Sequence, residues 1–173
     1  MIPVPTLTAA GLVLRQLQAE DGVALFAAHG DAVTHQFWSS PAHVSPDETV
    51  AYTQATLDMP GARAWAITED GGEALGRVAL FALREGVGEF GIILRREAQG
   101  RGYAAKAVEL IAAHAFEELG MHRLVADVDP DNSASLTLFL RNGFQREGVL
   151  RGNWKTHLGV RDSVMLGKLK EPT

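Results

Sequence analysis

The sequence predicts a single α/β domain built on a central, twisted sheet of about six to seven strands, mixed but mostly antiparallel, with helices on both faces. Three observations lead to this prediction. Apolar runs of strand length alternate with segments of helical periodicity, turn sequences containing glycine separate neighbouring runs, and one strand–helix–strand crossover unit follows in the second half. Because only one such unit is visible, most strands should pair antiparallel. We treat residues 1–173 as one domain, since this length suits one substantial core.

The N-terminal part of the chain is predicted to contain one strand and two helices. Residues 12–17 form the strand, and residues 21–28 form a short helix that ends near a glycine. The second helix begins in "SPDET", because Ser45 can cap the first turn, proline is favoured at the first helical position and Glu48 completes a capping box. This helix should end near Leu57, before a proline.

Three apolar runs then predict an antiparallel meander. The runs cover residues 64–68, 74–83 and 89–94, and the turn sequences "EDGG" and "REGVG" separate them. The first half of the chain is therefore two helices followed by a sheet of neighbouring antiparallel strands.

The second half is organised by the longest predicted helix. Its apolar residues recur at spacings of three and four from Val108 to Leu119, and Gly120 ends it. The segment "HRLVADV" is predicted as the next strand, and residues 136–141 as a short helix that ends at "NG". Residues 144–150 and 160–169 close the chain as two strands.

Composition excludes several classes of protein and of site. A formal net charge of −5 and a pI of about 5.6 argue against nucleic-acid binding. The absence of cysteine excludes disulfides, thiolate metal sites and a cysteine nucleophile, and the six histidines show no metal-like spacing, so no metal is predicted. The N-terminus lacks a signal-peptide pattern and no apolar run spans a bilayer. We therefore expect a cytoplasmic protein, monomeric or homodimeric, without a membrane partner.

The segment "LRREAQGRGYAAKA" predicts a phosphate-binding turn between a strand and a helix. A dinucleotide fingerprint is a poor match, because "RREAQ" separates Gly100 from the strand and the unit comes late in the chain. A nucleoside-triphosphate loop would need Lys-Ser/Thr after its second glycine, where Tyr103 and Ala104 stand. A glycine-rich helix start with no ligand is a further alternative.

Gln99-x-x-Gly102-x-Ala104 resembles the pyrophosphate-binding signature of the GNAT superfamily of acyl-CoA-dependent N-acetyltransferases. The resemblance covers about residues 11–169 and continues through "EFGIIL", "HRLVADVDPDNSASLTLFLRNGF" and the closing "GVLRGNWKTHLGVRDSVMLGKL". Asn132-x-x-Ser135 is most similar to the Rim-type (RimJ/RimL-like) branch, the ribosomal-protein N-terminal acetyltransferases. The fold that this resemblance implies agrees with the α/β prediction.

The resemblance implies acetyl-CoA as co-substrate, with no metal. The implied cofactor-binding residues come from the strand before the motif, the motif loop and the region of the Asn132 loop. They are Ile92, Ile93, Leu94, Gln99, Gly100, Arg101, Gly102, Tyr103, Ala104, Asn132, Ser135 and Phe139. Backbone N–H groups from 100 to 104 would face the pyrophosphate, so small residues are needed there. Nearby cations (Arg95, Arg96, Arg101 and Lys106) suit phosphates, although a solvated basic edge explains them equally well.

Two catalytic residues are implied in the same way. Glu89, early in the motif strand, is the expected base for the amine proton, the alternative being a surface charge across neighbouring strands. A backbone N–H near Ile93 is the expected donor to the thioester carbonyl. Many superfamily members carry a tyrosine acid where this chain has Phe139, so Ser135 is the nearest donor for the thiolate. The alternative for Ser135 is a hydroxyl that serves the backbone. Asn132 is a candidate helix cap or partner of the pantetheine arm, and one residue could serve both roles.

The implied function is transfer of an acetyl group from acetyl-CoA to a primary amine by direct attack in a ternary complex. A protein or peptide N-terminal α-amine is the first candidate acceptor, in the Rim-type manner. The alternatives are a small-molecule amine (an amino acid, polyamine or aminoglycoside) and a non-catalytic acyl-CoA-binding module. Trp38 in "FWSSP" is a candidate to line the acceptor groove. The sequence does not choose among acceptors, because that pocket depends on side chains scattered over the N-terminal half.

Overall fold

The computed structural model describes residues 2–171 and confirms the α/β prediction, with helices on both faces of one mixed sheet. Among these residues there are eight strands, slightly more than the six to seven expected, and five α-helices. The strands are β1 (Leu7–Ala9), β2 (Leu12–Gln16), β3 (Arg63–Thr68), β4 (Gly76–Arg84), β5 (Val87–Leu94), β6 (Arg123–Val128), β7 (Gln145–Thr156) and β8 (Gly159–Leu169). The helices are α1 (Asp21–His29), α2 (Ala32–His35), α3 (Pro46–Asp58), α4 (Tyr103–Glu117) and α5 (Ser133–Arg141).

Several elements differ from the sequence prediction. Helix α5 begins at Ser133, three residues before the predicted start at 136, and β4 and β5 each begin two residues away from their predicted starts. β1 and α2 were not predicted, because elements of three and four residues show no periodicity. β7 continues to Thr156, although we expected it to end at residue 150. Its register against β8 shifts between Leu150 and Trp154, where Gly152 has a φ of +60°. This irregularity breaks the alternating pattern that would have indicated a long strand.

The sheet order is β1-β2-β3-β4-β5-β6-β8-β7, and only β5 and β6 pair in parallel, across the α4 crossover. Their pairing is short. It runs from Val87 opposite Arg123 to Glu89 opposite Val125, while β5 continues to Leu94 and β6 to Val128. The two strands therefore separate beyond Glu89 and open a gap within the sheet, which positions the candidate site.

Each face of the sheet has its own apolar core. The predicted stripe of α4, which includes Ile111 and Ala115, is buried in a cluster with Val78 and Leu80 of β4. A smaller cluster on α1 and α3 includes Ala79 of the same strand. Because adjacent residues of a strand point to opposite faces, this alternation on β4 places α4 on one face and the α1–α3 pair on the other.

Helix starts and turns follow the local signals. At the start of α3, the Ser45 hydroxyl accepts the Glu48 N–H, as predicted, whereas the Glu48 carboxylate accepts the N–H of Val44, one residue before the N-cap N–H that a capping box would use. The turn between β4 and β5 contains Gly86 at a φ of +69°, and Gly120 follows α4 at +65°. Within residues 2–171, no helix combines the length and apolarity that crossing a bilayer requires.

Candidate active site

One cavity of about 1200 Å³ occupies the gap between β5 and β6. It is bordered by α2, α3, the loop before α4, the first turns of α4 and α5, and the β7–β8 hairpin. Of the predicted site residues, all but Arg101 line it. These are Glu89, Ile92, Ile93, Leu94, Gln99, Gly100, Gly102, Tyr103, Ala104, Asn132, Ser135 and Phe139. The fold thus brings residues from 89 to 139 along the chain to one space.

The predicted phosphate turn forms an open start to α4. Gly100 and Gly102 have φ angles of +75° and +82°, which favour glycine, and a Cβ at either position would meet no atom within 4 Å. Gly102 is the N-cap, and no side chain caps the helix. The first N–H groups of an α-helix have no intrahelical acceptor. This end of the cavity therefore offers donors and a positive helix dipole to an anion.

Gln99 fastens this loop to the end of β5. Its Nε2 donates to the Leu94 carbonyl oxygen at 3.1 Å. The side-chain amide therefore holds the loop against the strand and sets where the N–H groups of residues 100–104 lie. The sequence motif did not reveal this positioning contact.

Arg101 points away from the cavity and is paired with Glu69. Its Nη2 lies 2.6 Å from Glu69 Oε1, and its guanidinium carbon lies 4.8 Å from the Tyr103 ring centroid. The Tyr103 hydroxyl donates to the same carboxylate. The Tyr103 hydrogen bond and the Arg101 charge lower the pKa of Glu69, so this carboxylate stays ionised and bound to both partners at neutral pH.

The other nearby cations also have partners. Arg95 pairs with Glu73 at 2.6 Å, and Arg96 pairs with Asp31 at 2.7 Å. The Lys106 ammonium donates to the carbonyl oxygen of residue 10 at 2.8 Å. These contacts favour a paired basic edge over the expectation that these three side chains serve phosphates.

Glu89 lies half-buried in the middle of the cavity wall. Its strand neighbours are Phe81 on β4 and Val125 on β6, and the Phe81 ring covers Gly91, two residues on along the same face, where a Cβ would lie 3.1 Å from it. Burial, with the charge of Asp127 as a second cause, raises the pKa of Glu89. A carboxylate with a raised pKa is a better proton acceptor than an ordinary surface glutamate.

Asn132 and Ser135 lie together at the start of α5. The Asn132 side-chain oxygen accepts the Ser135 N–H at 3.1 Å, so the prediction that Asn132 caps the helix is confirmed. The Ser135 hydroxyl forms no hydrogen bond to the described part of the chain, which argues against the alternative that it serves the backbone. Phe139 is buried, with its ring centroid 5.1 Å from that of Phe144 and 6.0 Å from that of Phe90.

Sequence reasoning missed most of the wall opposite the loop. Trp38 lines the cavity as proposed, and Tyr52, Phe81, Asp127 and Trp154 line it as well. The Asp127 carboxylate accepts hydrogen bonds from Trp154 Nε1 at 2.8 Å and from the Asn153 amide at 3.0 Å. These residues come from five separate elements or loops, so no local pattern could have assembled them.

A cluster of histidines lies beside this wall. His29, His35 and His43 are buried and close together, which the spacing of the six histidines along the chain did not predict. None of the three lines the cavity, but the rings of Trp38 and Tyr52 pack against them.

Comparison with known proteins gives consistent matches. A family model described as an acetyltransferase (GNAT) domain matches residues 11–145. An N-acetyltransferase of Bacillus subtilis that is named as uncharacterized, YoaA, is 31% identical over 154 residues, or 85% of this chain and 86% of the relative. The spermidine N(1)-acetyltransferase of Escherichia coli K12 is 27% identical over 88% of this chain and 83% of its own length. A probable GNAT acetyltransferase structure from Chromobacterium violaceum has a TM-score of 0.88 at 25% identity, covering 96% of this chain and 88% of that one.

Proposed function

Because this chain belongs to the GNAT acetyltransferase family, we propose that it moves an acetyl group from acetyl-CoA to a primary amine by direct attack in a ternary complex. Membership makes it an N-acetyltransferase, which sets aside the non-catalytic acyl-CoA-binding module. One observation carries the proposal. A single cavity joins the uncapped start of α4 to Glu89 and Ser135, so that an anion-binding end and a proton-accepting end face the same space.

The anion-binding end suits the pyrophosphate of CoA. The free N–H groups at the start of α4 offer several donors, and Gly100 and Gly102 leave the room that phosphates need. Beyond Glu89, the edge of β5 that faces β6 has no strand partner among residues 2–171. Residues 92–94 on this edge would pair with the amides of the pantetheine arm, in the manner of an added strand.

The proton-accepting end suits the amine. In the proposed reaction a bond forms between the amine nitrogen and the carbonyl carbon, and the carbon–sulfur bond breaks. Glu89 accepts the amine proton, and a backbone N–H near Ile93 donates to the carbonyl oxygen as charge develops. The Ser135 hydroxyl donates a hydrogen bond to the departing thiolate, because Phe139 has no donor. The thiolate finally takes up a proton from solvent or from protonated Glu89.

The first candidate acceptor is the α-amine of a protein or peptide N-terminus, as in the Rim-type branch that the Asn132-x-x-Ser135 pattern resembles. Proton arithmetic supports this choice. A peptide α-amine has a pKa near 8 and a lysine side chain one near 10.4, so at pH 7 roughly a tenth of α-amines are neutral, against about one lysine in several thousand. A site whose proposed base is one glutamate, and whose proposed donor is a serine, suits the amine that is more easily deprotonated.

A polyamine is the second candidate, and two observations favour it. The carboxylates of Glu89 and Asp127 line the same cavity, together with the aromatic rings of Tyr52 and Trp154. Carboxylates and aromatic faces both bind ammonium groups, so a second charged amine would find partners there. The Escherichia coli relative at 27% identity is named a spermidine acetyltransferase.

The test is acetyl-CoA turnover, followed as release of free thiol, with lysine-containing peptides, spermidine, amino acids and aminoglycosides as acceptors. We expect amine-dependent thiol release, with free N-terminal peptides acetylated faster than the same peptides with blocked N-termini. Equal labelling of blocked peptides would refute the α-amine preference. Turnover with spermidine alone would establish the second candidate, and no turnover with any amine would refute both.

A further inference from the structure

The three buried histidines form a compact triangle outside the cavity. His29 ends α1, His35 ends α2, and His43 lies in the loop before α3, so each comes from a different segment. His29 and His35 are fully buried, and His43 is 5% exposed. The proposed acetyl transfer uses none of them. The proposed reaction therefore leaves a cluster of three imidazole side chains, which are common metal ligands, without a role.

The geometry of the triangle is close to that of a metal site. The three pairs of ring centroids are separated by 5.1, 4.9 and 5.1 Å. The Nδ1 atoms of His29 and His35 lie 3.2 Å apart, and one nitrogen from each of the three rings lies within 4.8 Å of the others. Zinc–nitrogen bonds of about 2.0–2.1 Å in a tetrahedron place ligand nitrogens roughly 3.4 Å apart. The rings of His29 and His43 are stacked with an interplanar angle of 11°, so metal binding requires the His43 ring to rotate until its nitrogen points to the shared ion.

The surroundings keep the imidazoles in the form that binds metals. All three rings are buried and packed against one another and against Trp38 and Tyr52, and a buried imidazole without an acidic partner is most stable in its neutral form. His43 Nδ1 lies 2.9 Å from Thr49 Oγ1, which orients the ring and leaves Nε2 for a ligand bond. A hydrogen bond to the other ring nitrogen is the usual support of a metal-bound histidine.

Arg77 adds a second observation that points to a ligand. Its guanidinium is buried beside the triangle, with Nε 3.4 Å from His29 Nε2 and its central carbon 5.1 Å from the Trp38 ring centroid. Arg77 forms no ion pair within residues 2–171, and its Nη1 has no hydrogen-bond partner there. The rings of Trp38 and Tyr52 and a hydrogen bond with Tyr52 offset part of the cost of burying this charge. An anion on the triangle would supply the counter-charge and an acceptor for Nη1.

We propose that His29, His35 and His43 bind one divalent transition-metal ion of the kind that prefers imidazole, such as Zn²⁺, with an anionic fourth ligand that accepts a hydrogen bond from Arg77. Neutral imidazoles suit zinc, copper, iron and nickel, and the lack of carboxylates in the triangle disfavours calcium and magnesium. The anion offsets the repulsion between the metal and Arg77.

The competing arrangement is a metal-free chain of hydrogen bonds. In that chain Arg77 Nε donates to His29 Nε2, His29 Nδ1 donates to His35 Nδ1, and His35 Nε2 donates towards Ser40 Oγ at 3.4 Å. Metal coordination by His29 through Nδ1 moves its proton to Nε2 and turns that nitrogen into a donor, so the Arg77 Nε–H loses its acceptor and must turn to the anionic ligand. The two arrangements therefore differ in the tautomer of His29 and in the affinity for metal, and both differences can be measured.

The experiment titrates the full chain, stripped by a chelator, with Co²⁺ alone and then with Zn²⁺ as a competitor. We expect one Co²⁺ per chain with visible absorption typical of tetrahedral coordination, displacement by Zn²⁺, and a change in the absorption when azide is added. His35→Gln and His43→Gln should each weaken binding at least about tenfold. His122→Gln, at an exposed histidine, is the matched control and should not.

Three results would overturn the proposal. The first is no stoichiometric Co²⁺ binding by the wild-type chain. The second is binding that survives unchanged in both variants, and the third is an equal loss in His122→Gln. If a variant fails to fold, X-ray absorption of the wild-type Zn²⁺ complex still decides, because the proposal requires three imidazole ligands. Binding is read without the acetyl-transfer assay, so its failure leaves the proposed function untouched.

Discussion

Glu89 and Asp127 lie on the same face of the sheet, on the two strands that separate to form the cavity. Glu89 pairs with Val125 at the last residue pair between β5 and β6, and Asp127 is two residues further along β6. The charge of Asp127 adds to burial in raising the pKa of Glu89. The proposed base is therefore coupled to a second carboxylate. Asn153 and Trp154 hold that carboxylate in place by donating hydrogen bonds to it.

Replacing Glu89 by glutamine should remove the base without changing its size. We expect kcat to fall by about 10²- to 10⁴-fold, the range that general bases contribute. In the wild type, Glu89 accepts a proton only when it is ionised, so activity should rise as the pH increases through the raised pKa of Glu89. This rise, the acidic limb of the pH profile, should be absent in the variant. Glu85→Gln, in the exposed β4–β5 turn, is the control. Unchanged kcat in Glu89→Gln would leave catalysis to positioning and solvent.

Asp127→Asn should move the acidic limb of kcat/KM to lower pH. The substitution removes the negative charge that helps to raise the pKa of Glu89, so the glutamate would ionise at lower pH. The asparagine side-chain oxygen can still accept hydrogen bonds from Asn153 and Trp154. The measurement is a pH profile of both proteins with one acceptor. A limb that stays in place or moves upward contradicts the coupling, and Asp131→Asn, at an exposed site, serves as the control.

Ser135→Ala should lower turnover while leaving CoA affinity nearly unchanged. The hydroxyl lines the cavity without a hydrogen-bond partner in residues 2–171, whereas the helix cap depends on the Ser135 backbone and the Asn132 side chain. Ser133→Ala, at an exposed position two residues earlier in α5, controls for helix stability. Calorimetry with CoA and steady-state kinetics measure the two effects separately. Full activity in Ser135→Ala would exclude the serine from the reaction.

Arg101→Gln should weaken CoA binding by less than about tenfold, because an exposed ion pair contributes only about 0–1 kcal/mol. In the structure this side chain is paired with Glu69 and lies outside the cavity, so it must leave that partner to reach a phosphate. Calorimetric titration with CoA at low and high salt measures the effect. A loss of a hundredfold or more would show that Arg101 is a principal phosphate ligand.

Local signals in the sequence predicted the parts of the fold that depend on neighbouring residues. The capped start of α3 at Ser45, the apolar stripe of α4 and the two-residue turn around Gly86 are all set by contacts within a few residues. The glycine turn before α4 is also a locally determined feature, because its conformation follows from Gly100 and Gly102 themselves.

Contacts between distant segments could not be predicted in this way. Arg96 was predicted to lie either near phosphates or on a solvated basic edge, but its partner Asp31 lies 65 residues away, and only the folded chain brings the two together. Asp127 joins the site through the separation of β5 from β6, which no periodicity encodes. The histidine triangle likewise depends on how α1, α2 and the next loop pack.

CoA binding by the wild type, Gly102→Glu and Gly120→Glu tests the central claim most directly. Both glycines have a positive φ, and a Cβ at either position would meet no atom within 4 Å. Both substitutions therefore carry similar backbone strain, but only Gly102 borders the cavity. We expect CoA at a hundred times its Kd to stabilise the wild type by about 2.7 kcal/mol and to raise its Tm. Gly120→Glu should keep this rise, and Gly102→Glu should lose it. A rise with NAD but none with CoA, or an undiminished rise in Gly102→Glu, would contradict the account.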